Sequence, residues 1–385
     1  MKKILILGGS HRDIPLIKAS QELGYYVITL GDRDYYLGHL YSDKSYKINF
    51  NDLEAVKNIV NTEKIDFLLP GCGEESYLKT VELAHELKLG NFDSLETAQL
   101  LHNKWRFKKF CLENSISTPK GNFYSKELDL KTLQFPLVVK PTNLSGGRGV
   151  EIVHNLEELH LSLNKSQKVS DEIFLEEYIE GKLIAYSIFL ENQKIIYGFT
   201  GEDKTYLNPY LIASAYPTII KDTTLLKLKN DIEKMAQVLA LVNGMFHLQV
   251  LIQNDIPYII DITRRIPGDL YPYLIEYCDG VKYSKAVVKA YTTGHIDDEF
   301  KCKNEKQRFV IRHVVMPSKN GIYKELFIDS NIQAKIIFKF DLVKRDTVIE
   351  DFLHTQIAIV FVDISSLDKA TVLTHINNFI YPIVS

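Results

Sequence analysis

The sequence is poor in the features that mark secreted, membrane-bound and nucleic-acid-binding proteins. Its four cysteines are scattered and form no CxxC pair, which favours reduced thiols in the cytoplasm over disulfides or a zinc site. No segment approaches the run of about 20 apolar residues that a membrane-spanning helix needs. The net charge is −3, and no basic run is interleaved with aromatic residues. We therefore expect a cytoplasmic protein whose partners include neither nucleic acid nor a membrane.

Two common nucleotide-binding signatures are also missing. The glycine-rich segment TNLSGGRGV at 142–150 lacks the GKS or GKT of a P-loop. The segment GGSHRD at 8–13 lacks the third glycine of a dinucleotide-binding fingerprint. We also find no Ser/His/Asp or Cys/His set with convincing spacing for nucleophilic catalysis. These absences narrow the choice of nucleotide fold without excluding a phosphate site.

The length and patterning of the chain indicate a soluble protein of two or three domains. It has 385 residues, of which 45% are hydrophobic and 25% are charged. The first residues, MKKILILGGSHRDIP, contain an apolar run too short for a signal peptide, and we expect a first strand there. Strand and helix patterns alternate from 3 to 95, which predicts a parallel sheet covered by helices on both faces. Ligands of such sheets lie at the carboxyl ends of the strands.

The clearest chemical signal is the strand LVVKP at 137–141, which delivers Lys140 directly before the glycine-rich segment. Glycines let a loop fold its backbone N–H groups over phosphates, and an adjacent ammonium group adds positive charge. Ser145, Gly146 and Gly147 are the central residues of this loop. The combination predicts a site for a polyphosphate.

A second pattern is a hairpin formed by MFHLQVLI and PYIIDIT with a turn near Asn254 and Asp255. If the hairpin closes around Asp255, Gln249 faces Asp261, and His247 faces Thr263 on the same side. A lone histidine in a strand is more often structural than catalytic. Residues 301–385 are again rich in strand patterns and predict a small third domain.

The order of these parts resembles the ATP-grasp superfamily of carboxylate ligases, and it is most similar to the branch near carbamoyl-phosphate synthase and the L-amino-acid ligases. The resemblance rests on the helix with Lys104, on VVKP and SGGRGV, on FLEEYIEG at 174–181, and on DITRRIPGD at 261–269. It implies an α/β fold with ATP-grasp architecture. The implied domains are a Rossmann-like parallel-sheet domain at 1–96, a two-part α+β ATP-grasp domain at 97–300, and a small β-rich domain at 301–385.

The resemblance also assigns roles to individual residues. It implies that Arg265 and Lys140 are the catalytic residues and neutralise the transferring phosphoryl group, a task that suits the planar guanidinium of Arg265. It also implies that the metal is Mg²⁺ and that its ligands are Gln249, Asp261 and Thr263. The residues implied to bind ATP are Lys104, Lys140, Ser145, Gly146, Gly147, Glu176, Glu177 and Ile179.

Three positions depart from the pattern of the family. Leu183 occupies the position of the usual ribose-binding glutamate, while Gln249 and Thr263 replace a glutamate and an asparagine of the metal site. The implied reaction is the formation of an acyl phosphate from ATP and a carboxylic acid, followed by transfer to an amine. Two alternatives remain open, an ATP- and bicarbonate-dependent carboxylase and a non-catalytic or regulatory ATP-binding protein. The implied partners are small-molecule carboxylates and amines, and the resemblance also allows a homodimer.

Overall fold

The computed structural model describes residues 1–125, 127–130, 134–141, 149–297, 300 and 308–385. Ser145, Gly146 and Gly147, which the sequence predicts to contact phosphate, lie outside these ranges. Within the described ranges, no helix combines the length and the apolar composition that crossing a membrane requires.

The chain begins with a parallel sheet covered by helices, as the alternating patterns predict. Its strand order is β3-β2-β1-β4, and Ile4, Leu5, Ile6 and Leu7 of the central strand have no exposed surface. A strand buried on both faces is continuously apolar because helices cover both sides of the sheet. The elements are β1 (Lys3–Leu7), α1 (Ile14–Glu22), β2 (Tyr26–Leu30), β3 (Lys44–Tyr46), α2 (Leu53–Glu63), β4 (Phe67–Pro70) and α3 (Glu74–Leu87).

Two helices lead to a second, smaller sheet with the order β5-β8-β6-β7. Between the predicted strand at 137–141 and the segment at 174–181 the structure also contains a helix that the sequence patterns did not predict. Leu159 and Leu163 of that helix are buried against the small sheet, and Asn155 caps its first turn by accepting a hydrogen bond from the N–H of Glu158. The elements are α4 (Leu95–His102), α5 (Lys104–Glu113), β5 (Gly121–Phe123), β6 (Leu137–Pro141), β7 (Glu151–Val153), α6 (Leu156–Ser166) and β8 (Ile173–Glu177).

The largest element is an antiparallel sheet of eight strands with the order β13-β12-β9-β10-β11-β14-β18-β16. It places the predicted hairpin at one edge and strands from beyond residue 308 at the other. Strands from both sides of the predicted boundary at 300 and 301 therefore share one sheet, and that domain boundary stays a prediction. The elements up to the boundary are β9 (Lys182–Glu191), β10 (Lys194–Thr205), β11 (Ile212–Pro217), α7 (Asp222–Val238), β12 (Gly244–Gln253), β13 (Ile256–Thr263), α8 (Tyr271–Asp279) and α9 (Tyr283–Thr293).

The last part of the chain completes the large sheet and adds a sheet of three strands in the order β17-β15-β19. The strand-rich character predicted for this part is confirmed, and two helices accompany the strands. The elements are β14 (Val310–Val315), β15 (Gly321–Ile328), α10 (Ser330–Gln333), β16 (Ile336–Asp341), β17 (Val348–Ile349), β18 (Ala358–Asp363), α11 (Lys369–Phe379) and β19 (Ile380–Val384).

A shared hydrophobic core fixes the first sheet relative to the large one. Leu16 and Ile17 of α1 belong to the same buried cluster as Val287 of α9 and Phe189 of β9. Burial of apolar side chains from both layers holds the carboxyl ends of β1 and β4 close to the segment that follows β13.

Candidate functional site

The side chain of Lys140 ends in a buried cluster of three charges. Its Nζ lies 2.6 Å from Oε1 of Glu176, and Nζ of Lys108 lies 2.5 Å from the other carboxylate oxygen. Lys108 also donates to the carbonyl oxygen of Pro119 at 3.0 Å. The side chain of Lys140 is 28% exposed, whereas those of Lys108 and Glu176 are 7% and 5% exposed. Lys140 is therefore the ammonium group of this cluster that a ligand can reach.

Helix α5 lies along strand β8 and brings these charges together. Trp105 packs on Phe174 with a ring distance of 4.5 Å, and Lys108 meets Glu176. Three residues of a helix advance about 4.5 Å and two residues of a strand about 6.7 Å, so both contacts form along one face of each element. Asn103 caps α5 by accepting from the N–H groups of Trp105 and Arg106 at 3.2 and 3.0 Å.

The protonation states of the cluster follow from burial and from the two ammonium groups. Burial alone would raise the pKa of Glu176, but Lys140 and Lys108 together lower it below its ordinary value. Burial lowers the pKa of Lys108, although the carboxylate of Glu176 opposes that shift. The three groups carry a net positive charge, which suits an anionic ligand.

The cap of α5 supports a stability prediction. Replacing Asn103 with alanine removes both capping hydrogen bonds, and we expect the free energy of unfolding to fall by about 1 kcal/mol. Urea titration followed by the fluorescence of Trp105, the single tryptophan, measures the change. Asn61 is exposed within α2, and Asn61→Ala is the matched control with an expected change within about 0.5 kcal/mol. Equal midpoints for the two variants would contradict the capping role.

The end of β8 is held by two hydrogen bonds between Glu177 and Lys120. The N–H of Glu177 donates to the carbonyl oxygen of Lys120 at 2.9 Å, and its carboxylate accepts from the N–H of Lys120 at 2.8 Å. The N–H of Glu177 is therefore already paired, and the predicted role of this residue in binding ATP stays a prediction. Ile179 is buried, and Gly181 leaves no room for a side chain because a Cβ there would lie 2.5 Å from the carbonyl oxygen of Ile252.

The predicted hairpin register is confirmed. Gln249 pairs with Asp261 and His247 pairs with Thr263 across β12 and β13, and a register shift follows Gln249. Bulges of this kind often re-aim side chains next to functional sites. Nδ1 of His247 lies 2.7 Å from Oγ of Ser187. The imidazole is buried, and burial lowers its pKa to about 3, in agreement with a structural role.

The donor set of the hairpin is oxygen-rich but contains little negative charge. Among the residues that the structure describes, no group of three or more His, Cys, Asp or Glu side chains could hold a metal ion. At the hairpin itself, Gln249 and Thr263 provide neutral oxygens and only Asp261 provides a carboxylate. Such a set fits a hard cation only when a ligand such as a polyphosphate supplies further oxygens.

The two adjacent arginines after β13 have different environments. Arg264 is 4% exposed, and its guanidinium contacts Asp93 at 2.8 Å and the carbonyl oxygens of Met245 and Val242 at 2.7 and 2.8 Å. Arg265 is half-buried, its backbone N–H donates to Oγ1 of Thr263, and its buried Nε has no hydrogen-bond partner in the described structure. Arg264 therefore stabilises the fold. The guanidinium of Arg265, in contrast, keeps a hydrogen-bond donor that a ligand could use.

Glu74 at the start of α3 belongs to the same electrostatic neighbourhood as Arg265. Burial raises the pKa of Glu74, and Asp261 adds to the rise, while Arg265 and Lys104 act in the opposite direction. Lys104 and Lys108 are separated by one turn of α5 and so lie on one face of the helix. Helix α5 thus connects the charges around Glu176 with those around Arg265.

The carboxylate of Asp13 joins the loops that follow β1 and β4 in the first sheet. Its carboxylate accepts from the N–H groups of Gly9, Ser10 and Cys72 at 2.9, 2.8 and 2.7 Å. Asp13 and Cys72 are buried, and burial also raises the pKa of the Cys72 thiol. Cys72 is therefore a structural residue of the loop after β4 rather than a nucleophile.

Two residues of this arrangement were not assigned roles from sequence. Lys108 could have been found from its position beside Phe107 and Cys111 on the buried face of α5, because a lysine there needs a partner. Glu74 has no local sequence signal for a role, because its electrostatic contact with Asp261 depends on the packing of the first sheet against the large one.

The comparison with protein families identifies one match. The model of the ATP-grasp domain family matches residues 133–271, which include Lys140, Glu176, Gln249, Asp261 and Arg265.

Among curated proteins, the chain is similar to the large chain of carbamoyl phosphate synthase from Clostridium beijerinckii, with 26% identity over 302 residues. That alignment covers 71% of this chain and 27% of the relative, so the chain spans about a quarter of the relative's length. It is also similar to a formate-dependent phosphoribosylglycinamide formyltransferase from Nitratiruptor sp., with 24% identity over 68% of this chain and 69% of the relative.

Solved structures share the fold along the whole chain. An L-amino acid ligase from Bacillus licheniformis superposes with a TM-score of 0.84 and 17% identity, covering 100% of this chain and 99% of that one. A phosphoribosylglycinamide synthetase from Anaerococcus prevotii superposes with a TM-score of 0.81 and 21% identity, covering 100% of both chains. The predicted α/β architecture is confirmed by these superpositions.

Proposed function

The chain carries an ATP-grasp domain, and from this premise we propose that it is an ATP-dependent carboxylate ligase that forms a C–N bond. ATP phosphorylates a carboxylic acid to an acyl phosphate and leaves as ADP, and an amine then attacks the acyl carbon and displaces phosphate. The observation that carries the proposal is the reachable ammonium group of Lys140, held beside Glu176 and joined through α5 to the neighbourhood of Arg265. Such a cluster matches the charge of a polyphosphate.

The protein's part in this reaction is positioning and charge neutralisation. Lys104 and Lys140 bind the phosphates, together with the N–H groups of Ser145, Gly146 and Gly147. Glu176 and the backbone at Glu177 and Ile179 bind the adenine. Arg265 holds the transferring phosphoryl group, since a guanidinium fork matches phosphate oxygens.

Mg²⁺ is the proposed metal, and Gln249, Asp261 and Thr263 are its proposed ligands. When bound, the ion neutralises charge on the phosphates of the nucleotide. The confirmed pairing of Gln249 with Asp261 supports this assignment because it directs both side chains to one face of the hairpin. The proposed partners are small-molecule carboxylates and amines, in a cytoplasmic protein that forms a homodimer.

The neutral side chain of Gln249 supports a prediction about the metal. Gln249→Glu adds a carboxylate next to Asp261, and we expect half-maximal ADP release at an Mg²⁺ concentration about 10-fold lower. Magnesium titration at fixed ATP measures the shift. Gln253→Glu adds the same charge farther along β12 and is the matched control. A similar titration midpoint in Gln249→Glu and wild-type protein would remove Gln249 from the metal site.

The experiment that tests the proposed function is a screen for ADP release. The full chain is incubated with ATP, Mg²⁺ and pooled carboxylic acids and amines, and ADP and phosphate are measured. Release that depends on both a carboxylic acid and an amine supports the ligase. Release that depends only on bicarbonate supports the carboxylase. MgATP binding without ADP release in any pool supports a non-catalytic protein. The single carboxylate among Gln249, Asp261 and Thr263 also favours that alternative.

A further inference from the structure

The loop between β10 and β11 contains a tight turn that carries a half-exposed tyrosine. Residues 208–211 form a β-turn in which the N–H of Leu211 donates to the carbonyl oxygen of Asn208 at 3.2 Å. Asparagine and Pro209 suit the first two positions of such a turn, since proline fixes the backbone angle that the second position needs. Oδ1 of Asn208 also accepts from the N–H of Tyr210 at 2.9 Å, which fixes the backbone where the tyrosine leaves the turn.

The turn is anchored to the last part of the chain. Asn208 is 7% exposed, and its Nδ2 donates to the carbonyl oxygen of Leu353 at 3.2 Å. The segment around Leu353 is itself closed by a hydrogen bond from the N–H of Thr355 to the carbonyl oxygen of Asp351 at 3.0 Å. Because the buried amide of Asn208 bonds on both sides, the turn is a fixed part of the layer that contains the large sheet.

The hydroxyl group of Tyr210 reaches the small sheet. It donates to the carbonyl oxygen of Val150, which is 60 residues away in the chain, at 2.8 Å. Burial raises the pKa of Tyr210, and the carboxylate of Glu151 raises it further, so the phenol remains a protonated donor. This hydrogen bond therefore joins the loop of the large sheet to the backbone of the small one.

Val150 lies beside the strand end that carries Lys140. β7 pairs with β6 in an antiparallel register in which Glu151 faces Val139. The next position of that register sets Val150 opposite Lys140, on strands about 4.8 Å apart. β7 is an edge strand of its sheet, so its outer backbone groups need partners from elsewhere. The bond from Tyr210 thus connects the Lys140 end of the small sheet to the large sheet, which carries the predicted metal ligands.

We propose that Tyr210 is a positioning residue that holds the Lys140 end of the small sheet against the large sheet and limits the rates of nucleotide binding and release. The role rests on the proposed function, because it takes the cleft between these two sheets as the place of the triphosphate. Neither Tyr210 nor Val150 is among the proposed nucleotide contacts, so the bond stabilises the joined sheets equally with and without nucleotide. An interaction that favours both forms equally changes how fast the sheets separate and leaves the affinity unchanged.

Stopped-flow kinetics with the full chain test this role. The probe is the Mg²⁺ complex of a fluorescent N-methylanthraniloyl derivative of ATP, and excess ATP displaces it. In Tyr210→Phe, we expect the association and dissociation rate constants each to rise about 5-fold, the factor for the loss of one neutral hydrogen bond. The dissociation constant should change less than about twofold. A dissociation rate equal to that of the wild type overturns the inference. A weaker affinity with an unchanged association rate also overturns it, because Tyr210 would then support only the bound nucleotide.

Hydrogen exchange measures the connection between the sheets without nucleotide. In Tyr210→Phe, the backbone amides of β6 and β7 should exchange about 5-fold faster, whereas those of β1 and β4 keep their wild-type rates. The variant retains the half-exposed ring, so we expect an unchanged urea midpoint. Tyr206→Phe is the matched control, since Tyr206 lies on the same loop and is 45% exposed, and its kinetics and hydrogen exchange should equal those of the wild type. Equal exchange of β6 and β7 in the two variants overturns the inference.

The outcomes also separate this role from the proposed function. Faster nucleotide release and faster amide exchange in Tyr210→Phe, without ADP release from any pool, retain the positioning role and reject the ligase. ADP release that depends on a carboxylic acid and an amine, combined with wild-type nucleotide kinetics in Tyr210→Phe, retains the ligase and rejects the positioning role. If the wild-type protein binds no MgATP, both the proposed function and the limit on nucleotide rates are rejected.

Discussion

Arg265→Ala should lower the rate of ADP release about 100- to 1000-fold while MgATP affinity changes less than about threefold. The reason is that Arg265 has a buried Nε without a hydrogen-bond partner in the described structure and lies next to the hairpin that pairs Gln249 with Asp261. A hydrogen-bond donor that contacts the phosphoryl group mainly in the transition state raises the reaction rate but adds little to nucleotide binding. Steady-state kinetics and calorimetry on the same preparation measure the two quantities.

Two further variants test this explanation of the Arg265→Ala effect. Arg265→Lys keeps the positive charge but loses the planar fork, and we expect it to recover less than about a tenth of the lost rate. Arg33→Ala removes an arginine whose side chain is 59% exposed, and it should leave the rate unchanged. If Arg265→Ala retains the wild-type rate, Arg265 does not touch the reacting groups and the catalytic assignment fails.

Sequence patterns were most informative where a local rule determined the structure. The hairpin register followed from the turn at Asn254 and Asp255, whose left-handed backbone angles of 50° and 64° suit a two-residue turn. Lys140 was identifiable because a lysine at the end of an apolar strand is unusual. Both inferences required only neighbouring residues in the chain.

Features that depend on distant packing were not predictable in the same way. The adjacent arginines 264 and 265 cannot be told apart from the sequence. Only the contact of Arg264 with the buried carboxylate of Asp93 shows that Arg264 stabilises the fold. Lys108 and Tyr210 have partners that are 68 and 60 residues away in the chain. The resemblance pointed to Arg265 but not to these residues, because their roles arise from contacts between layers.

Lys140→Ala should weaken MgATP binding about 100-fold, which corresponds to about 3 kcal/mol. In the wild-type protein, Glu176 is shared between Lys140 and Lys108, so three charges leave a net charge of +1 at the cluster. Removal of Lys140 leaves a neutral Glu176–Lys108 pair with no reachable ammonium group. Titration of MgATP, followed by calorimetry or by Trp105 fluorescence next to Phe174, measures the loss.

The retained Glu176–Lys108 pair makes this variant a test of binding rather than of folding. A buried carboxylate that keeps one partner at 2.5 Å is not left unpaired, so we expect the urea midpoint of Lys140→Ala to stay close to wild type. Lys165→Ala is the matched control, since Lys165 also pairs with a glutamate but its side chain is 68% exposed on α6. An affinity within about threefold of wild type in Lys140→Ala would mean that the phosphates lie elsewhere, and the proposed nucleotide site would have to be abandoned.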